Sequence, residues 1–323
     1  MHKFRNSCLL ILTALIWGIA FVAQSEGGDT VGAYTFNSIR SVIGGLVLIP
    51  VIAMFSRKEN KADIQQDRKN QTDSDSNEKK FLILGGLCCG VVLFIASTLQ
   101  QVGITMGTSA GKAGFLTACY IVLVPIFGIF LKRRCGLNVW VSVILAIVGL
   151  YFLCINGAIA LQTGDILLIV GAFGYAGHIL IVDYFSPKVN GIKMSCIQLI
   201  ICGLLGVVPM FFVDMKHSIA GIAAWAPSLT SVSAWIPLLY AGVLSAGVGY
   251  TLQIIGQVGL NPTVASLLMS LESVFSVLAG WIILGQKLNG RELFGCALIF
   301  VAVVLAQIDV IQLVKACRAR RKA

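Results

Sequence analysis

Ten stretches of this sequence are each apolar over about the length that crosses a bilayer, and that feature constrains everything else. About 20 helical residues span the hydrocarbon core. The stretches lie at roughly 8–23, 33–55, 81–106, 110–131, 138–156, 164–184, 192–213, 234–257, 262–284 and 292–312. Of 323 residues, 57% are hydrophobic and only 12% charged, whereas soluble domains carry about 25% charged residues. Surface-to-volume scaling gives a soluble fold nowhere to hide so much apolar surface. The expected fold class is therefore an all-α membrane protein with ten transmembrane helices.

The first stretch invites a second reading, because "MHKFRNS" before a short apolar core resembles a signal peptide. No A-x-A site follows, and the polar "AQSEGGD" runs straight into the next span. We read a retained helix. The ten Cys show no CxxC or His/Cys metal spacing, and most sit inside apolar runs, where a thiol behaves as a small hydrophobe. Neither a disulfide framework nor a metal or other cofactor site is expected.

The net charge of +10 is read as orientation rather than as nucleic-acid binding, because Lys and Arg concentrate in cytoplasmic loops. With the N-terminus inside, 19 of the 24 basic residues fall on the inner side. Both termini are then cytoplasmic, in a multi-pass protein of the cell (plasma or inner) membrane. The long polar segment Ser56–Lys80 mixes seven basic with six acidic residues. It reads as a solvated or disordered tether.

The chain also nearly repeats itself. "ALIWGIAF" and "GGLVLIPV" are answered by "GAFGYAGHIL" and "GLLGVVPM", and Pro50 by Pro209. "GGLCCGVVLFIASTLQQVG" is answered by "LLYAGVLSAGVGYTLQIIG", and "VPIFGIFL" by "ESVFSVLAGWIIL". The expected division is 1–156 and 157–312, five helices each, with a basic tail at 313–323. An odd helix number inserts the second half upside down. Inverted repeats of this kind build secondary transporters, with the site near the midplane where the halves meet. A central cavity is the expectation.

"SAGKAGFLTACYIVLVPIFGIFL" (Ser109–Leu131), the long run "NPTVASLLMSLESVFSVLAGWIILGQKLNGRELFGCALIFVAVVLAQ" (Asn261–Gln307) and Trp17-Gly18 together resemble an EamA-type transporter of the drug/metabolite transporter superfamily. The resemblance covers nearly the whole chain, apart from the 56–80 segment and the tail. It implies ten helices around a central cavity and export or exchange of small metabolites, amino acids or related compounds foremost. One departure is Gly285-Gln286, where relatives commonly carry Gly-Glu.

Glu272 is the sharpest candidate within the apolar stretches. A charge at a helix centre costs roughly 2.5–3.5 kcal/mol on insertion scales. Its carboxyl therefore faces a wet cavity, meets a cation or holds a proton. One reading has it bind a substrate amine or exchange a proton. The other makes it a structural partner of Arg40, of Lys112 or of a facing helix. Ser276, one turn on, leaves room beside it. Arg40 lies in the outer third of its stretch and is read as a clamp near the outer mouth, with substrate binding as the alternative. Lys112, in "AGKAG", either holds an anion at a helix N-terminus or anchors at the interface.

Trp17 and Tyr175 are repeat-matched, as are Gln101 and Gln253. Gln100, Thr117, Tyr120 and His178 add polar groups at span depth, each read as a cavity residue or a helix–helix hydrogen bond. Gly86-xxx-Gly90 and Gly103-xxx-Gly107-xxx-Gly111 have the small-xxx-small spacing of close helix contact. No P-loop GxxxxGK[ST] occurs, so a gradient is the expected drive, with protons as candidate coupling ion. The chain is read as a secondary transporter and not an enzyme. An uncoupled facilitator, a lipid-acting membrane enzyme and a channel or scaffold subunit are the alternatives. Its expected partners are a small-molecule substrate and the lipid bilayer.

Overall fold

A computed structural model of the chain describes residues 2–63, 72–108, 110–132, 135–155, 161–284 and 289–307. The elements described are all helical. Among the described residues, ten helices are long and apolar enough to cross a membrane: α1 (Lys3–Val31), α2 (Ala33–Phe55), α3 (Asn77–Thr105), α4 (Lys112–Phe130), α5 (Leu137–Cys154), α6 (Thr163–Lys188), α7 (Gly191–Asp214), α8 (Val232–Gln257), α9 (Pro262–Ile282) and α10 (Gly290–Gln307). A short apolar helical segment, Ile219–Leu229, lies between α7 and α8. Helix starts follow local sequence. Asn261 caps α9 by accepting from Thr263 N, and Pro262 fills the first turn, where no donor is needed. At α6, Asp165 Oδ2 accepts from Gln162 N at 2.7 Å, half of a reciprocal capping box.

Packing is pairwise and close. α5 lies along α10, α2 along α7, and α3 against both α6 and α7. α1 packs on α8 and α9, α8 also on α2, and α4 on α6. Small residues set the tightest approaches. A β-carbon on Gly295 would stand 2.6 Å from Gly149 O, and one on Gly149 would stand 2.9 Å from Gly295 O. Large apolar side chains such as Ile49, Ile144, Leu204, Val208 and Phe300 remain exposed on the outside, as lipid rather than water would have it.

Three sequence expectations need correction. The first helix does not stop near residue 23 but runs His2–Val31, carrying "AQSEGGD" within it. Gly27 and Gly28 make that possible, because β-carbons there would strike the Phe36 ring and Gln101 Nε2. The segment Ser56–Lys80 is not simply a loop. The helices of its flanking spans extend into it, as Ala33–Asp63 and Thr72–Thr105. Once nucleated in the bundle, a helix propagates cheaply through such residues. Gly107 is not a packing glycine: its φ of +92° ends α3 in a turn, with nothing within 4 Å of a β-carbon. Gly86 and Gly90 do meet a facing helix, at Ile197 and Ile201 of α7. Gly285-Gln286 and the basic tail lie outside the described residues.

Candidate functional site

A cavity of about 40 Å³ lies within the bundle, lined from seven helices. Trp17, Phe21 and Gln24 come from α1, Arg40 from α2 and Gln100 from α3. Thr117 and Tyr120 come from α4, Tyr175 from α6, Ser245 and Tyr250 from α8, and Glu272 from α9. Pockets for drug-sized ligands run to about 300–1,000 Å³, so this chamber has the size of a few waters.

Two helices that supply key groups are broken beside them. α4 is interrupted at Cys119, immediately before Tyr120, and α9 at Ser270, two residues before Glu272. In each break a side chain turns back on its own helix. Ser270 Oγ donates to Leu267 O at 2.8 Å, and Cys119 Sγ lies 3.5 Å from Phe115 O. Back-bonding of this kind bends helices. The two breaks meet across the bundle, where Tyr120 Oη donates to Glu272 Oε1 at 3.1 Å. Glu272 is 4% exposed, and among the described residues no Lys or Arg lies within ion-pair distance of it.

Along the wall, Tyr175 Oη donates to Gln100 Oε1 at 2.9 Å, and Gln100 Nε2 to Thr117 Oγ1 at 3.1 Å. Trp17 Nε1 donates to Ser245 O at 3.1 Å, and its ring stands 4.9 Å from that of Tyr250. Ser245 lies within Tyr240–Gly249, ten residues of wide π-type helix, a distortion frequent at functional sites. The value of the Trp17-Gly18 pair now has a cause. Gly18 lets α1 approach α9, since a β-carbon there would stand 2.6 Å from Glu272 O, and Trp17 beside it fills the chamber.

Of the twelve candidate residues read from the sequence, Glu272, Trp17, Tyr120, Tyr175, Arg40, Gln100 and Thr117 meet at the chamber. The other five lie off its lining. Gln101 Nε2 donates to Gln24 O at 2.8 Å in the α1–α3 seam. Gln253 is buried on α8, its Oε1 without a donor among the described residues. His178 Nε2 is 3.0 Å from Gln198 Oε1, and its ring meets the Tyr250 ring edge-on at 5.9 Å. Ser276 sits in the α1–α9 seam, its backbone N 2.8 Å from where a Gly18 β-carbon would be.

Lys112 pairs with Asp165 at 2.5 Å, joining the starts of α4 and α6. Asp165 also accepts from Thr108 Oγ1 at 3.1 Å. Neither Arg40 nor Lys112 pairs with Glu272 among the described residues; of the partners the sequence offered it, the facing helix is the one present, through Tyr120 of α4. Sequence reasoning missed Phe21, Gln24, Ser245 and Tyr250. Tyr250 follows the glycine-thinned "GVG", the one signal pointing to it; nothing in the local sequence marks Phe21.

Comparison with known proteins agrees with this architecture. The EamA-like transporter family matches residues 5–155 and again residues 162–307. A relative from Archaeoglobus fulgidus, described as an uncharacterized transporter, is 26% identical over 307 residues, covering 93% of this chain and 85% of its own. A solved crystal structure, described only as "Crystal structure of protein", superposes with a TM-score of 0.71 at 15% identity, covering 94% of this chain and 96% of that one. That likeness concerns the fold alone. With two family matches that together cover most of its length, the chain is a multi-pass membrane protein belonging to the EamA-like transporter family.

Proposed function

We propose that this protein is a secondary transporter that moves small metabolites, amino acids or related compounds, out of the cell by alternating access, with Glu272 coupling transport to protons. The observation that carries the reading is the chamber itself. It lies within the bundle, it holds an ionisable group on each of α2 and α9, and it is too small for a metabolite in this state. Ionisable residues at membrane depth serve transport paths more often than architecture. A chamber of this size admits a solute only when helices part on one side. The breaks at Cys119 and Ser270 and the wide helix in α8 give three of its walls places to bend.

Two inverted halves, 1–156 and 157–312, are supported by the packing pattern. A shift of five helices exchanges the pair α3–α6 with α8–α1, and α1–α9 with α6–α4. The pairs α2–α7 and α5–α10 map onto themselves, and Gly149 facing Gly295 lies on that second seam. The Lys/Arg distribution supports a cytoplasmic N-terminal face in the cell membrane.

The test is efflux from proteoliposomes under an imposed pH gradient. Coupled export moves solute against its own gradient when the proton gradient is present, and Glu272→Gln leaves only downhill flux. An uncoupled facilitator or exchanger, the second reading, passes solute downhill with no proton movement and no response to Glu272→Gln. Absence of flux for every metabolite class tried, in vesicles containing folded protein, would overturn transport itself.

A further inference from the structure

We propose that Arg40 is the substrate's carboxylate anchor, so that the chamber selects compounds carrying both a carboxylate and an ammonium group. This inference rests on the transport reading and names its substrate class. Arg40 is 6% exposed and lines the chamber. Its Nε and Nη2 both donate to Asn37 Oδ1, at 3.1 and 2.9 Å. Asn37 is itself fixed, because its Nδ2 donates to Ser97 Oγ at 3.1 Å and to Thr98 Oγ1 at 3.0 Å. The arrangement orients one edge of the guanidinium with a neutral amide.

Beyond Asn37 the guanidinium has, among the described residues, only the Phe36 ring, 5.7 Å from Cζ, which does not neutralise its charge. Among the described residues no carboxylate lies within ion-pair distance of Arg40. The half-buried Asp214 and the buried Asp165 are engaged elsewhere, by Thr35 and by Lys112. Among the described residues Nη1 donates to no acceptor, and it is not among the fully sealed polar atoms that lack a partner; on a residue that lines the chamber, that leaves one edge of the guanidinium accessible. A purely structural arginine at this depth would be paired, because an unpaired buried charge costs several kcal/mol. A guanidinium held on one edge and open at the other is built to take a carboxylate, since its donors form a fixed fork matched to two oxygens.

Glu272 has the complementary arrangement. Tyr120 holds Oε1, and among the described residues Oε2 has no hydrogen-bond partner and is not fully sealed from solvent. One cationic and one carboxyl group therefore share one small chamber with Trp17, Tyr175 and Tyr250 as its aromatic walls. An amphoteric solute compensates both groups at once. A simple amine satisfies only Glu272, and a simple anion only Arg40.

The full-length protein in nanodiscs is titrated with three equimolar mixtures: the twenty L-amino acids, their C-terminal amides and their N-acetyl derivatives. Binding is read as a shift in melting temperature. The free amino acids are expected to stabilise the wild type. The amides, which lose the carboxylate, are expected to bind about 10- to 100-fold more weakly, the worth of a charge-assisted hydrogen-bonded pair. Arg40→Gln is expected to abolish this preference, and Arg40→Lys, with the charge but not the fork, to recover it in part.

Amides that match the acids on the wild type would overturn the proposal without any variant, and so would a wild type stabilised by none of the three mixtures. Efflux of whichever compound binds separates the two readings. Carboxylate binding that depends on Arg40, but without flux, leaves the anchor standing and removes transport. Flux of compounds lacking a carboxylate, undiminished in Arg40→Gln, removes the anchor and leaves transport standing.

Discussion

Among single residues, the hydrogen bond from Tyr120 Oη to Glu272 Oε1 joins the two groups that flank the helix breaks. Tyr120→Phe removes that donor while keeping the ring, which is 3% exposed and packed in the largest apolar cluster. The expected loss is about 0.5–1.5 kcal/mol, the net worth of a hydrogen bond. The melting temperature should therefore fall by only about 1–4 °C, while efflux slows and its pH profile moves. A wild-type pH profile in the variant would show that Tyr120 does not set the state of Glu272. Glu272 was legible in the sequence because a carboxylate inside a long apolar run has so few affordable explanations. Arg40 was legible as a type, but its direction was not, since nothing in "NSIRSV" says that Asn37 will hold its near edge. Gln101, Gln253 and His178 were visible at the right depth for the same reason. They lie off the chamber lining because rotation about a helix axis is fixed by neighbours distant in sequence.

At the level of elements, the ten crossings follow from apolar length alone, whereas their seams depend on where glycine falls. The α5–α10 seam makes the sharpest test. Gly295→Ala would bring a β-carbon within 2.6 Å of both Gly149 O and Leu153 N, backbone atoms that cannot swing aside. Overpacking of this kind costs about 1–3 kcal/mol. Gly290→Ala, at the start of the same helix, meets nothing within 4 Å and should stay within about 0.5 kcal/mol of wild type. Thermal unfolding in detergent compares the two, and equal melting temperatures would mean that the seam is looser than drawn. The breaks at Cys119 and Ser270 were not foreseeable from apolarity. Serine and cysteine are common in membrane helices, and only the back-bonded geometry shows which of them interrupts its helix.

Across the whole molecule, α4 and α6 are tied at their starts by Lys112 and Asp165, on the face opposite the N-terminus of α1. The Asp165 side chain is fully buried and that of Lys112 is 21% exposed. Removing one member strands the other, at a cost up to about 3 kcal/mol for a pair that keeps some solvent. Asp165→Leu and Lys112→Met should each lower the melting temperature. The double variant should lose less than the sum of the two, because no charge is then left unpaired. Strict additivity in that cycle would reduce the pair to a coincidence of position.

By itself, the sequence determined that this chain lives in a membrane, that it crosses ten times and that Glu272 needs a special environment. Those conclusions follow from the cost of exposing apolar surface to water and of burying charge in lipid, which depend on composition and spacing alone. Tertiary structure decided which polar groups share the chamber, that Tyr120 rather than Arg40 or Lys112 answers Glu272, and that Lys112 belongs to Asp165. Those outcomes turn on the azimuth of each helix and on a few glycine contacts between residues more than a hundred positions apart. No local pattern encodes that information.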